Sequence, residues 1–131
     1  MTRRQFIVVF AVISFLVATS HAADVRLSLG YHFSWFDLIP HTLGGVWLVF
    51  FSYIIYRVIF RDRFSVGILR TTAIFIVVAT AIAWEFFEVW YGVALTDRPG
   101  YIIDTISDFV ADALGATLGF RFLVSKIKDI L

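Results

Sequence analysis

The chain has 131 residues, of which 60% are hydrophobic and 16% charged, with a net charge of +1 and a mean hydropathy of +0.89. These values are too apolar for an ordinary soluble domain of this size, and they place the chain among membrane proteins. The sequence has no phosphate-binding loop, no Gly-x-Ser-x-Gly, no His-Glu-x-x-His and no basic stripe suited to nucleic acid. Cysteine is absent, which excludes disulfides and thiol ligands.

Residues 1–23 have the form of a signal peptide or of an N-terminal anchor helix. Arg3 and Arg4 precede an apolar run, and Ser20 and Ala22 are small residues suited to flank a cleavage site. The apolar run is only slightly short for a membrane span, so an uncleaved anchor is the alternative. Because the two arginines lie far from the acidic groups described below, we expect an unrelated anchor to be able to replace this segment.

The remaining residues, 24–131, are expected to form a single membrane bundle. Its hydrophobic helices are predicted at about 39–60, 66–91 and 101–124. Asp37 is the expected N-cap of the first of these helices, because Pro40 follows where a helical first turn tolerates proline. The sequence therefore predicts an all-α transmembrane bundle of three or four spans, depending on whether the first segment is retained.

The basic residues predict the orientation of the bundle. With the N-terminus in the cytoplasm, nine of the 11 Lys and Arg residues lie on the cytoplasmic side, and only Arg26 and Arg98 lie outside. Such an excess of positive charge is typical of cytoplasmic loops and tails. The C-terminus is therefore predicted to be cytoplasmic. Membrane lipid is the expected surrounding, and no nucleic acid is expected as a partner.

The last predicted helix carries an acidic stripe that continues into glycine. Asp104, Asp108 and Asp112 recur every four residues, and Gly115 and Gly119 continue the series. At about 100° per residue, all five fall within a sector of roughly 80° on an otherwise apolar helix. The two glycines permit close helix packing, and they suggest a homo-oligomer through this face.

Polar groups from three separate helices are predicted to lie at one level of the outer leaflet. A carboxylate at the bilayer centre costs roughly 2.5–3.5 kcal/mol on insertion scales, so such groups are expected to face inward. Several carboxylates in one small volume cannot all be ionised without a cation or shared protons. The candidate metal ligands are His41, Glu85, Glu88, Asp104, Asp108 and Asp112.

Three interpretations of this cluster remain open. An outward-facing pocket of a histidine with paired carboxylates suits a divalent cation or a cationic ligand. The same residues also suit a structural seam of shared protons between helices. The third interpretation is a membrane-embedded, metal-dependent hydrolase or transferase acting on a lipid-linked substrate. Arg98, which would receive a phosphate, and Asp37 are then the candidate substrate-binding residues.

The spacing of these residues resembles that of two groups of membrane proteins. His41 followed by Glu85-x-x-Glu88, Arg98 and Asp108-x-x-x-Asp112-x-x-Gly115 resembles the VanZ-like proteins, which carry amides in place of Glu88 and Asp112. Trp84-Glu85-x-x-Glu88 with Asp104-Thr105-x-x-Asp108 is similar to the YjdF-like inner-membrane proteins. The resemblance covers roughly residues 37–120. It implies a compact helical bundle in the bacterial inner membrane with an accessory role in the envelope. VanZ-like members are associated with lowered susceptibility to glycopeptide antibiotics.

Overall fold

The computed structural model describes residues 1–33, 35–60, 65–92, 96 and 99–127. The described residues form four long helices and one short helix, with no strand among them. The helices are α1 (Arg3–Leu27), α2 (Leu29–His32), α3 (Leu38–Ile59), α4 (Val66–Trp90) and α5 (Tyr101–Ile127). The predicted all-α fold is therefore confirmed.

Three of the described helices are long and apolar enough to cross a bilayer, namely α1, α3 and α4. The fourth long helix, α5, has 27 residues but carries acidic groups in its first half and basic groups near its end. Its buried residues include Asp108 and Asp112 together with both glycines of the stripe. The predicted crossing of α5 stays a prediction, since the apolar character of the helix alone does not require it.

Helices α3 and α5 run parallel and in unusually close contact. A Cβ atom at Gly115 would overlap the backbone carbonyl of Thr42, and one at Gly119 would lie 3.0 Å from the Cα of Val46. Because residue numbers rise together along both helices, the two run in the same direction. Gly115 and Gly119, which the sequence suggested for contact between copies, lie against α3 of the same chain. The homo-oligomer stays a prediction.

Helix α1 packs antiparallel to α3. The ring of Phe6 stacks on Phe50 with centroids 5.5 Å apart, and further along α1 the indole N–H of Trp47 donates to the Ser14 hydroxyl at 2.7 Å. The α1 helix also continues without a break through residues 20–22. These contacts join residues 1–23 to α3, and the expectation that an unrelated anchor can replace them stays a prediction.

Helix α4 runs antiparallel to both α3 and α5, so the bundle has two chemically different ends. At one end, the backbone N–H of Ser65 donates to the Tyr56 hydroxyl at 2.7 Å, and the Met1 amino group donates to the Lys126 carbonyl at 2.9 Å. At the opposite end, the beginnings of α3 and α5 meet the end of α4. That opposite end is called the acidic end below, since His41 and the carboxylates of the cluster lie there.

A candidate metal site between α3 and α5

Asp37 and His41 are placed by the first turn of α3. Pro40 fits this turn because it needs no backbone N–H there, and both Pro40 and His41 are buried. Asp37 occupies the N-cap position, as predicted, but its backbone is helical and its side chain makes no capping hydrogen bond. Since residues four apart share one face of a helix, the Asp37 carboxylate is available to the same site as His41.

Asp108 and Asp112 are placed by the glycines that follow them in α5. The close approach of Gly115 and Gly119 to α3 turns Asp108 and Asp112 toward that helix, since these four residues share one sector. Asp108 is only 3% exposed and Asp112 only 7% exposed. Two carboxylates of the acidic stripe, Asp108 and Asp112, are therefore at the α3–α5 contact and shielded from the surroundings, whereas Asp104 is exposed.

Three of these residues form a group with the dimensions of a metal site. Asp37, His41 and Asp108 each offer a ligand atom, and these atoms all lie within 4.8 Å of one another. The Nε2 of His41 lies 3.9 Å from Oδ1 of Asp108, which is beyond hydrogen-bond distance. Oδ1 of Asp108 is buried and has no hydrogen-bond partner among the described residues. Such an atom is unfavourable unless a proton or a cation satisfies it.

Asp112 contacts the opposite edge of the same imidazole. Its Oδ2 lies 3.4 Å from Nδ1 of His41, and both side chains are buried. The His41 ring is therefore held between two carboxylates one helical turn apart on α5. Asp108 faces Nε2 and Asp112 faces Nδ1.

The remaining predicted ligands are not part of this group. Glu85 accepts a hydrogen bond from the Thr105 hydroxyl at 2.9 Å, and Glu88 accepts one from the Trp84 indole N–H at 2.7 Å. Asp104 is exposed in the first turn of α5. Within the described part of the chain, Asp37, His41 and Asp108 are the one group of three with metal-ligand spacing. Arg98, the predicted phosphate contact, lies outside the described residues.

Asp37 was predicted as a substrate contact and a cap, not as a metal ligand. The signal that would have placed it in this group is its spacing of four residues from His41. Burial raises the pKa of the Asp37 carboxyl above its ordinary value, an effect that the nearby His41 opposes and that Asp24 and Asp104 reinforce. A carboxyl in this setting is costly to ionise alone, and a bound cation would offset that cost.

The chain matches, over residues 2–128, a protein family described as "Predicted membrane protein (DUF2238)". The chain belongs to this family. The match includes α1, whereas the resemblance found from the sequence began near residue 37. No curated protein and no solved structure matches the chain. Family membership and the three apolar helices together show a multi-pass membrane protein. The family description names no chemistry.

Proposed function

We propose that this protein binds a divalent metal ion through Asp37, His41 and Asp108 at the acidic end of the bundle. The observation that carries the proposal is the buried Oδ1 of Asp108, which has no hydrogen-bond partner among the described residues, within a group of three ligand atoms no more than 4.8 Å apart. One cation can satisfy all three groups at once. Carboxylate and imidazole are common ligands of divalent metals. Because folding brings these three residues together, the site forms only when the chain folds.

A seam of shared protons is the competing explanation for the same carboxylates. A proton on Asp108 still needs an acceptor, and the nearest imidazole nitrogen lies 3.9 Å away, which is too far for a hydrogen bond. Metal–ligand geometry tolerates this separation much better, because the ion itself lies between the two atoms. The distance therefore argues against a hydrogen bond between Asp108 and His41 and is compatible with an ion between them.

The site is proposed to face the exterior of a bacterial inner membrane. Basic residues occupy the other end of the bundle; those described are Arg3, Arg4, Arg57, Arg70, Arg121 and Lys126. The positive-inside rule places that end in the cytoplasm, with α5 crossing beside α3. The resemblance to VanZ-like and YjdF-like proteins supports an accessory role in the envelope. A membrane-embedded hydrolase or transferase stays a prediction, and Arg98, its expected phosphate contact, lies outside the described residues.

Metal analysis of the full chain tests the proposal. Protein purified in detergent would be treated with chelator, equilibrated with Zn²⁺ or Mn²⁺, passed through a desalting column and analysed by mass spectrometry for metal content. We expect about one ion per chain in the wild type and a loss of binding in Asp108→Asn. Asp104→Asn is the matched control, because it removes the same charge from the same helix at an exposed position. A wild type without metal, or an Asp108→Asn variant that retains it, would overturn the proposal.

A further inference from the structure

We infer that Asp112 is not a metal ligand but a positioning residue, which orients His41 so that Nε2 faces the ion and so makes the site selective for transition metals. The inference rests on the proposed metal site and adds two things to it. It assigns separate roles to two carboxylates that the sequence makes equivalent, and it names the class of ion.

The geometry of the imidazole separates the two roles. Nε2 of His41 lies 3.9 Å from Asp108, while Nδ1 lies 3.4 Å from Asp112. The lone-pair directions of the two ring nitrogens diverge, so an ion bound at Nε2 is on the side of Asp108. Asp112 faces the other edge of the ring. The two aspartates therefore cannot ligate the same ion together with this histidine.

The contact, burial and fixed backbone of Asp112 are those of a residue that orients a metal-bound histidine. A histidine that binds a metal through one nitrogen usually donates its other ring N–H to a carboxylate or carbonyl, which fixes the ring and its tautomer. Asp112 is buried, so its contact with His41 is protected from water. Its backbone is also fixed, because a Cβ atom at Gly45 would overlap the Asp112 carbonyl. The carboxylate is thereby held at a constant place relative to α3.

The resulting donor set favours one class of ion. The site offers one imidazole nitrogen from His41 and carboxylate oxygens from Asp37 and Asp108. Imidazole suits zinc, iron, nickel and copper, whereas calcium and magnesium are bound almost entirely by oxygen. Because Asp112 keeps the nitrogen donor directed at the ion, we assign the site to a first-row transition-metal dication.

Competition binding on the full chain in detergent tests both the role of Asp112 and the class of ion. Co²⁺ reports its own binding by visible absorption, and Zn²⁺, Mg²⁺ and Ca²⁺ are the competitors. We expect Zn²⁺ to displace Co²⁺ at stoichiometric amounts and Mg²⁺ and Ca²⁺ not to displace it at large excess. In Asp112→Asn, Co²⁺ should still bind at about one per chain but roughly 10–100-fold more weakly, as is typical when the partner of a ligating histidine is altered. Asp104→Asn, at an exposed position, should change the affinity much less than Asp112→Asn does.

The outcomes separate this inference from the proposed function. Absence of Co²⁺ binding in the wild type would overturn the metal site itself. With a working wild type, complete loss of binding in Asp112→Asn would show a direct ligand, and unchanged affinity would show that Asp112 does not act through His41. Equal competition by Ca²⁺ would overturn the assigned class of ion.

A measurement on the wild type keeps the inference testable if Asp112→Asn does not fold. Protein labelled with ¹⁵N-histidine and loaded with Zn²⁺ would be studied by NMR, with His41→Gln used only for assignment. We expect His41 to carry its proton on Nδ1 and the metal on Nε2. A metal on Nδ1 would contradict the role of Asp112.

Discussion

The backbone of Gly45 in α3 lies against the backbone carbonyl of Asp112 in α5, with no space between them for a Cβ atom. This contact joins the packing of the bundle to the chemistry of the site. Asp112 is the residue that contacts Nδ1 of His41, so any shift at the helix contact moves a carboxylate of the site. Two neighbouring glycines of α3, Gly44 and Gly45, allow the effect of added volume at this contact on stability to be measured.

Gly45→Ala should destabilise the protein, and Gly44→Ala should not. The added methyl of Gly45→Ala overlaps backbone atoms of Asp112 and Ala116, which cannot rotate away, whereas at Gly44 the nearest atom is 4.0 Å distant. Overpacking of this kind typically costs about 1–3 kcal/mol, while alanine is otherwise favoured over glycine within a helix. Thermal unfolding in detergent measures the difference. Equal melting temperatures for the two variants would contradict the close α3–α5 contact.

Trp47→Phe should weaken the attachment of α1. The substitution removes the indole N–H that donates to Ser14 but keeps an aromatic ring near Phe10 and Phe51. Hydrogen bonds between membrane helices contribute about 0.6 kcal/mol on average, so we expect a loss of this order. Trp90→Phe is the control, because Trp90 is 84% exposed. Unfolding is followed by circular dichroism, and a larger effect of the control would argue against the contact between α1 and α3.

Asp108→Asn should lower the thermal stability of the protein when a divalent cation is present. A ligand that binds only the folded state stabilises it by about 2.7 kcal/mol at a concentration 100 times its dissociation constant, and the variant loses this contribution. In chelator, the same variant should be neutral or more stable, because an amide removes a charge that is costly to bury. The measurement is the melting temperature with and without Zn²⁺. A shift by Zn²⁺ of the same size in both proteins would contradict metal binding at Asp108.

Metal affinity should fall as the solution is acidified. Burial raises the pKa of Asp37, so on acidification this carboxyl takes up a proton at higher pH than an ordinary aspartate, and that proton competes with a metal ion. In the ion-free protein, acidification acts on folding stability in the opposite direction. The folded state holds this proton more tightly than the unfolded state, so the contribution of Asp37 to stability grows as pH falls. Co²⁺ titrations from about pH 7.5 to about pH 5.5 measure the affinity. If Asp37→Asn binds Co²⁺, its affinity should depend less steeply on pH; an unchanged slope would exclude Asp37 from the proton exchange.

The C-terminus should lie in the cytoplasm. The basic residues at the end of α5, Arg121 and Lys126, and those at the start of α1 lie at the same end of the bundle, as the contact of Met1 with the Lys126 carbonyl shows. A reporter fused after residue 131 should therefore be active only if it is of a type that works in the cytoplasm. Activity of a periplasmic reporter at that position would place the acidic end inside and would overturn the proposed orientation.

The sequence by itself determined the fold class and the place of the polar groups along each helix. Apolar runs of membrane length predict helices because backbone groups in lipid must bond within their own segment. The four-residue spacing from Asp104 to Gly119 predicted a common face for the acidic and small residues, and the structure places that face against α3, except that Asp104 is exposed in the first turn.

Tertiary structure decided which of these groups meet. Helical spacing puts Glu85, Asp104 and Asp108 at a similar depth, but depth does not specify how each helix is rotated about its axis or which neighbour it faces. That is decided by packing: the glycines bring α5 onto α3, which directs Asp108 and Asp112 to His41, while Glu85 bonds to Thr105 instead. Packing likewise made α1 part of the bundle, since its contacts with α3 depend on side chains more than 30 residues away in the chain.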